Sequence, residues 1–297
     1  MKLSHGERLS SIMIYFLLTL LMFITFYPFW NSGVISFNTG ADTSLGGVTF
    51  WPRHFTLENY DVVFQDKRLV HAFLISILRT VIGTLLSITL TAIFSYGMSK
   101  KELVGRKYYM IMCIIPLYFS GGLIPSYMLI SSLGLMNSFW VLIIPGLISI
   151  WNMIVFRTFF LQLPGSIEES AKMDGCSYWG TLFRIVLPIS GPVVATLSLF
   201  TAVEHWNDWF TATLYISDTN LLPIQTLLQQ ILSSNIMSEQ MMQTSAAAQS
   251  HMAAARTITS KSLSMATMMV ATIPIILVYP FVQKYFVKGV MVGSLKE

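Results

Sequence analysis

Six apolar runs, at roughly 11–34, 72–98, 108–131, 138–161, 189–216 and 263–287, leave this chain few folds to choose from. Each is about as long as, or longer than, the ~20 residues an α-helix needs to cross a hydrocarbon layer about 30 Å thick. Backbone N–H and C=O groups find no water in that layer, so each run must satisfy them internally, as a helix. The expected architecture is an all-α polytopic membrane protein with six transmembrane helices. Composition agrees, with 54% of the 297 residues hydrophobic and 11% charged, where soluble domains carry about 25% charge. The first run follows Lys2 and Arg8 as in a signal peptide. It is too long for an h-region and no Ala-x-Ala site follows, which predicts a retained anchor.

The net charge of +4 is spread in short clusters between apolar runs. Nucleic-acid binding needs a continuous basic surface, so no nucleic-acid partner is expected. With the N-terminus inside, twelve of the 18 basic residues fall on the inner side, among them Lys100, Lys101, Arg106, Lys107, Lys172, Arg184 and Lys284. That asymmetry predicts that both termini, and residues 163–188, are cytoplasmic. Arg79, in the second run, is expected to snorkel outward. Two outer segments are long. Residues 38–71, with Gly40, Gly46, Gly47 and Pro52, suggest a small folded lobe. Residues 217–262 open with Leu221, Ile224, Leu228 and Ile231 at helical spacing, then pass into a Met-, Gln-, Ser- and Ala-rich tract. That tract fits a mobile linker, or a loop that touches an external partner. Cys113 and Cys176 fall in different environments, so no disulfide is expected.

Residues 163–188, LPGSIEESAKMDGCSYWGTLFRIVLP, interrupt this pattern with an ordered polar segment. Ser166 and Glu169 have the spacing of a capping box, Gly175 supplies a break, and Pro188 closes a second amphipathic run. On the first short helix Ile167, Ser170, Ala171 and Asp174 share a face whose small residues allow close approach. Glu168 and Lys172 form an i,i+4 pair in the favourable order, and Asp174 beside Gly175 suits the turn into the second helix. Tyr178, Trp179, Leu182, Phe183 and Val186 make an apolar surface on that helix. From the residues alone, the segment is either an interfacial connector or a rigid hairpin presented to a partner.

Glu169-Ser170-Ala171, Asp174-Gly175, then Ile185 with Leu187-Pro188 resemble the EAA loop of bacterial ABC importer permeases, with Ser170 in place of the first alanine. The C-terminal run QKYFVKGVMVGSLKE is similar to oligosaccharide permeases of Gram-positive bacteria. The resemblance implies a type I ABC importer transmembrane domain whose hairpin is a cytoplasmic coupling helix. Glu169, Ser170, Ala171, Asp174 and Gly175 would dock on an ATPase subunit. It divides the chain into an N-terminal anchor helix and outer loop (1–71), a transmembrane domain (72–280, with hairpin 163–188 and outer loop 217–262) and a cytoplasmic basic tail (281–297). It also implies a bacterial cell membrane, a second permease subunit, two cytoplasmic ATPase subunits and a lipid-anchored extracellular solute-binding protein that delivers an oligosaccharide. No cofactor is expected on this chain; ATP and magnesium would bind the partner subunits.

Charged groups inside the membrane mark the other candidate site. Glu204 and Asp208 lie in the fifth run, about 20 and 26 Å along a helix counted from Gly191. A charge at mid-bilayer costs about 2.5–3.5 kcal/mol or more, so they are expected to face an interior or a pathway. With Asn207, Trp206 and nearby Thr201, His205 and Thr211, they suit a polyol with apolar ring faces, or equally an interfacial aromatic belt with a polar packing pair. Resemblance to the Trp-Asn-Asp stretch of carbohydrate permeases favours a substrate path. Asn152 in the fourth run either bonds a neighbouring helix or lines that path, and Tyr118 flanks a kink expected at Gly121, Gly122 and Pro125. The sequence has no Gly-x-x-x-x-Gly-Lys-Ser/Thr phosphate loop and no Gly-x-Ser-x-Gly, His-Glu-x-x-His or Cys-x-x-Cys, so the chain is expected to be neither the ATPase nor another enzyme. An importer for a different solute, or an ion-coupled secondary transporter, is the alternative.

Overall fold

The computed structural model describes residues 5–243 and 259–294. Most of the Met- and Ala-rich tract and the end of the basic tail lie outside the described residues. The elements are helices, in the order α1 (His5–Ser36), α2 (Gly40–Leu45), α3 (Glu58–Gln65), α4 (Lys67–Ser99), α5 (Arg106–Tyr118), α6 (Leu123–Ser132), α7 (Ile150–Gln162), α8 (Gly165–Met173), α9 (Tyr178–Thr181), α10 (Leu187–Ile189), α11 (Gly191–Asn207), α12 (Phe210–Tyr215), α13 (Ile224–Gln243) and α14 (Ser260–Ser294). Short 3-10 turns occupy Phe139–Leu142 and Ile144–Gly146, and a π-turn at Leu182–Val186 joins α9 to α10.

Three described helices are long and apolar enough to span a bilayer unbroken: Arg8–Ser36, Lys67–Ser99 and Ser260–Val278. The other apolar helices meet at sharp bends: 116° between α5 and α6, 48° between Phe139–Gly146 and α7, and 85° between Tyr178–Ile189, the second helix of the 163–188 segment, and α11. The count is thus three to six, depending on whether each bent pair crosses as one span. The bend after α5 falls where the glycines predicted a kink: Gly122 has φ +89°, which side chains with a Cβ rarely adopt.

The chain divides into two units, Met1–Val70 with Leu228–Ile273, and His71–Leu227 with Pro274–Glu297. In the first, the apolar stretch of α1 is exposed along its length, from Leu9 to Phe26. An apolar stretch left uncovered among the described residues is suited to lipid. The expected lobe after it is held by two fully buried asparagines. Asn38 Nδ2 donates to Asp42 Oδ2 at 2.9 Å and its Oδ1 accepts from His54 N at 3.0 Å. Asn59 Nδ2 donates to the Ser36 and Asn38 carbonyls, and its Oδ1 accepts from Ser262 Oγ at 2.9 Å. Each amide satisfies backbone groups that no regular sheet or helix serves. Asp66 then opens α4 by accepting from Arg68 N at 2.9 Å. The Arg68 side chain, bonding the same carboxylate, holds its pKa below the usual value.

In the second unit α4 runs past two cores. One gathers Ile75 with Ile130, Val141, Leu142, Ile143, Ala212 and Tyr215. The other gathers Ile88, Ala92 and Tyr96 with Phe156, Phe160, Leu182, Val186 and Leu197. The stretch of α4 between them, residues 79–87, borders a cleft. The fifth expected span, 189–216, is interrupted twice: at Ser190 and again at Asp208–Trp209, where α11 stops and α12 begins.

Candidate functional site

The segment 163–188 is an ordered hairpin. α8 ends in a Schellman turn: Cys176 N donates to Ala171 O at 2.9 Å and Gly175 N to Lys172 O at 3.0 Å, with Gly175 at φ +77°. The expected capping box does not form. α8 starts at Gly165 with Pro164 before it, so Ser166 lies inside the first turn instead of ahead of it. Asp174 ends α8 directly ahead of the Gly175 turn, and the second helix is capped by Ser177, whose Oγ accepts from Gly180 N.

The predicted Glu168–Lys172 pair is also replaced. Glu168 pairs with Lys100, just past the end of α4, and Lys172 lies 4.0 Å from Glu102. The Lys100 ammonium sits over the Tyr96 ring, 3.7 Å from its centroid. The Lys100–Glu168 contact is the more enclosed of the two, with side chains 16% and 26% exposed against 47% and 73% for Lys172–Glu102. A surface i,i+4 pair is worth only a few tenths of a kcal/mol, too little to hold Glu168 back. Glu169, Ser170, Asp174 and Gly175 are left exposed. Ala171 is only 3% exposed, so it packs inward and can serve a docking face only by holding that face in place. Leu182 and Val186 enter the second core, while Tyr178, Trp179 and Phe183 stay exposed, the last two with rings stacked 6.3 Å apart.

The cleft beside α4 has a volume of about 520 Å³ and is lined by Arg79 and Ser87, the 141–149 segment, Thr201, Glu204, His205, Asp208 and Thr211. Glu204, exposed, offers a carboxylate; Thr201, Thr211, Ser87 and Ser149 line the cleft with hydroxyls, of which those of Thr201 and Ser149 already accept from Asn152. Ser87 Oγ is buried without a hydrogen-bond partner. Arg79 does not snorkel; it is 2% exposed and ion-paired with Asp208, and it donates to the carbonyls of Leu142 at 3.2 Å and Asp208 at 2.6 Å. A buried guanidinium needs this many acceptors to offset its lost hydration. One turn further, the His205 imidazole lies against Gly83, where a Cβ would come within 2.7 Å of Nε2.

The predicted pathway residues therefore separate. Glu204 and Asp208 reach the cleft, but Asp208 is already engaged: besides Arg79 it accepts from Phe210 N at 3.0 Å and Thr211 N at 3.1 Å, closing the break before α12. Asn152 is buried and donates to Thr201 Oγ1 at 3.1 Å, so it orients a lining residue without lining the cleft itself. Trp206 is buried edge-on against Phe73, with ring centroids 5.6 Å apart, because successive residues of a helix face different sides. Asn207 and Tyr118 are exposed away from the cleft lining. Arg79 was legible in principle: a cation inside one apolar run calls for a carboxylate in another, and Glu204 and Asp208 are the two such groups.

A family model for the inner membrane component of binding-protein-dependent transport systems matches residues 9–292. The chain belongs to that family. This permease is 40% identical over 290 residues to the polygalacturonan/rhamnogalacturonan transport system permease protein YtcP of Bacillus subtilis, covering 98% of this chain and 99% of the relative. It is 39% identical to Protein LplC of the same organism, covering 92% and 90% of the two chains. Among solved structures it resembles a chain of a bacterial ABC transporter involved in the import of the acidic polysaccharide alginate, with a TM-score of 0.86, 26% identity and coverage of 96% and 99%. The fold is that of a type I ABC importer permease, all-helical and membrane-embedded.

Proposed function

We propose that this permease is one of two transmembrane subunits of an ATP-driven importer for oligosaccharides. An extracellular binding protein delivers the sugar, and two cytoplasmic ATPase subunits dock on the 163–188 hairpin. The chain itself carries no catalytic role. Both termini lie in the cytoplasm, as the basic clusters indicate. The observation that carries the proposal is the hairpin: Gly175 in a left-handed turn holds Glu169, Ser170 and Asp174 exposed on a rigid, anchored element. Relatives named for saccharide transport support the solute class, as does a cleft rich in hydroxyls and a carboxylate, the groups that bond polyols.

Co-purification of the tagged chain tests it. An ATPase and a second permease should come down together, and saccharide-loaded binding protein should stimulate ATP hydrolysis. Gly175→Pro, which cannot adopt φ +77°, and Glu169→Lys should abolish uptake without changing the binding protein's own affinity for saccharide. Full uptake in both variants, or uptake driven by an ion gradient without ATP, would overturn the assignment.

A further inference from the structure

Of the candidate spans in the second unit, α4 alone among the described residues is unbroken: 33 residues without proline, beside bends of 116°, 48° and 85° in its neighbours. Its C-terminal end is fastened to the hairpin and its middle to the cleft. At the end near residue 100, Lys100 joins Glu168 of the hairpin while lying over Tyr96, and Arg157 Nε donates to Met98 O at 3.1 Å. Tyr96 continues the attachment into the core shared with Leu182 and Val186. About 30 Å away along the helix, Arg79 grips the Leu142 carbonyl and both the carbonyl and carboxylate of Asp208, and Gly83 receives His205. Two walls of the cleft thus hang on residues 79–87, midway along the helix whose C-terminal end is bolted to the hairpin.

We propose that α4 is the rod that carries displacement of the hairpin to the cleft, and that Lys100 is the positioning residue that joins the two. A hairpin pulled by its docked partner must either move α4 or separate a pair whose side chains are only 16% and 26% exposed. A bent span between the same points would absorb the displacement at its break. The 4.0 Å Lys172–Glu102 contact, with side chains 47% and 73% exposed, holds too loosely to transmit it. The proposal rests on the hairpin being the ATPase dock.

The test uses the complete importer, purified with its ATPase subunits and reconstituted in vesicles with loaded binding protein. Lys100→Met should retain the ATPase subunits, because Glu169, Ser170 and Asp174 are untouched. Stimulated ATP hydrolysis and uptake should fall by about fivefold or more, the range of site-to-site coupling energies. Lys100→Glu combined with Glu168→Lys should restore at least about half of both, and Glu102→Gln should stay within about twofold of the parent. A maleimide reporter at Thr211→Cys, with Cys113 and Cys176 replaced by serine, should lose its ATP-dependent change in labelling in Lys100→Met. Unchanged coupling in Lys100→Met, loss of the ATPase subunits from it, failure of the charge swap, or an equal defect in Glu102→Gln would overturn the proposal. A parent chain that recruits no ATPase would defeat the proposed function instead.

Discussion

Asp208→Ala takes the counter-ion from a guanidinium that is 2% exposed, and the structure fixes what is left behind. Breaking a buried pair from one side costs about 3–5 kcal/mol, mainly through the stranded charge. Arg79 keeps its bonds to the Leu142 and Asp208 carbonyls, which lowers the cost. Losing the acceptor for Phe210 N and Thr211 N at the start of α12 adds back about 1 kcal/mol, as for a helix cap. The sum remains about 3–5 kcal/mol. Arg79→Met should be milder, about 1–3 kcal/mol, because Asp208 is 24% exposed and retains its two backbone donors. In the double variant no charge is stranded, so its loss should fall short of the two single losses by about 1–3 kcal/mol. Thermal unfolding of the detergent-solubilised chain reads this out. At ~2–4 °C per kcal/mol, Asp208→Ala should lower the midpoint by roughly 10 °C. Additive losses, or Arg79→Met as the more damaging single change, would refute the buried-pair account.

Gly83→Ala places a Cβ 2.7 Å from His205 Nε2 and should cost about 1–3 kcal/mol by overpacking, with His205→Ala in the same chain restoring stability; an unstable double variant would refute the contact. Gly175→Ala meets no atom within 4 Å, so its cost is the backbone alone, about 1–2 kcal/mol in denaturant unfolding, and Gly175→Asn should cost less. Asn152→Ala removes a bond worth about 0.6 kcal/mol between membrane helices and should leave the half-saturating solute concentration for uptake unchanged. Glu204→Gln should raise it, and the reverse order would show that the cleft is not the path.

Much of the fold was legible because bilayer physics is one-dimensional: run length and apolarity mark helices whatever they later touch. The glycine kink after Tyr118 and the turn at Gly175 were readable for a similar reason, since a positive φ is a property of one residue. The hairpin's pairing was not. Glu168 and Lys172 are ideally spaced for each other, yet both turn to residues 100–102, far away in sequence. The cleft was half legible. A carboxylate pair at i and i+4 announced a polar face, but Trp206 between them belongs to another face and Asn152 to a layer behind it.

The sequence by itself determined an all-helical membrane protein, the position of its polar hairpin, the residues at which the chain must turn and, by resemblance, the family. Only the tertiary structure decided which charges are free. Arg79 consumes Asp208 and leaves Glu204 open, and Lys100 consumes Glu168 and leaves Glu169 exposed. Burial and pairing depend on distances across the fold, and no local pattern carries those distances. In a low-dielectric interior the partner a charge finds outweighs the neighbour its sequence offers.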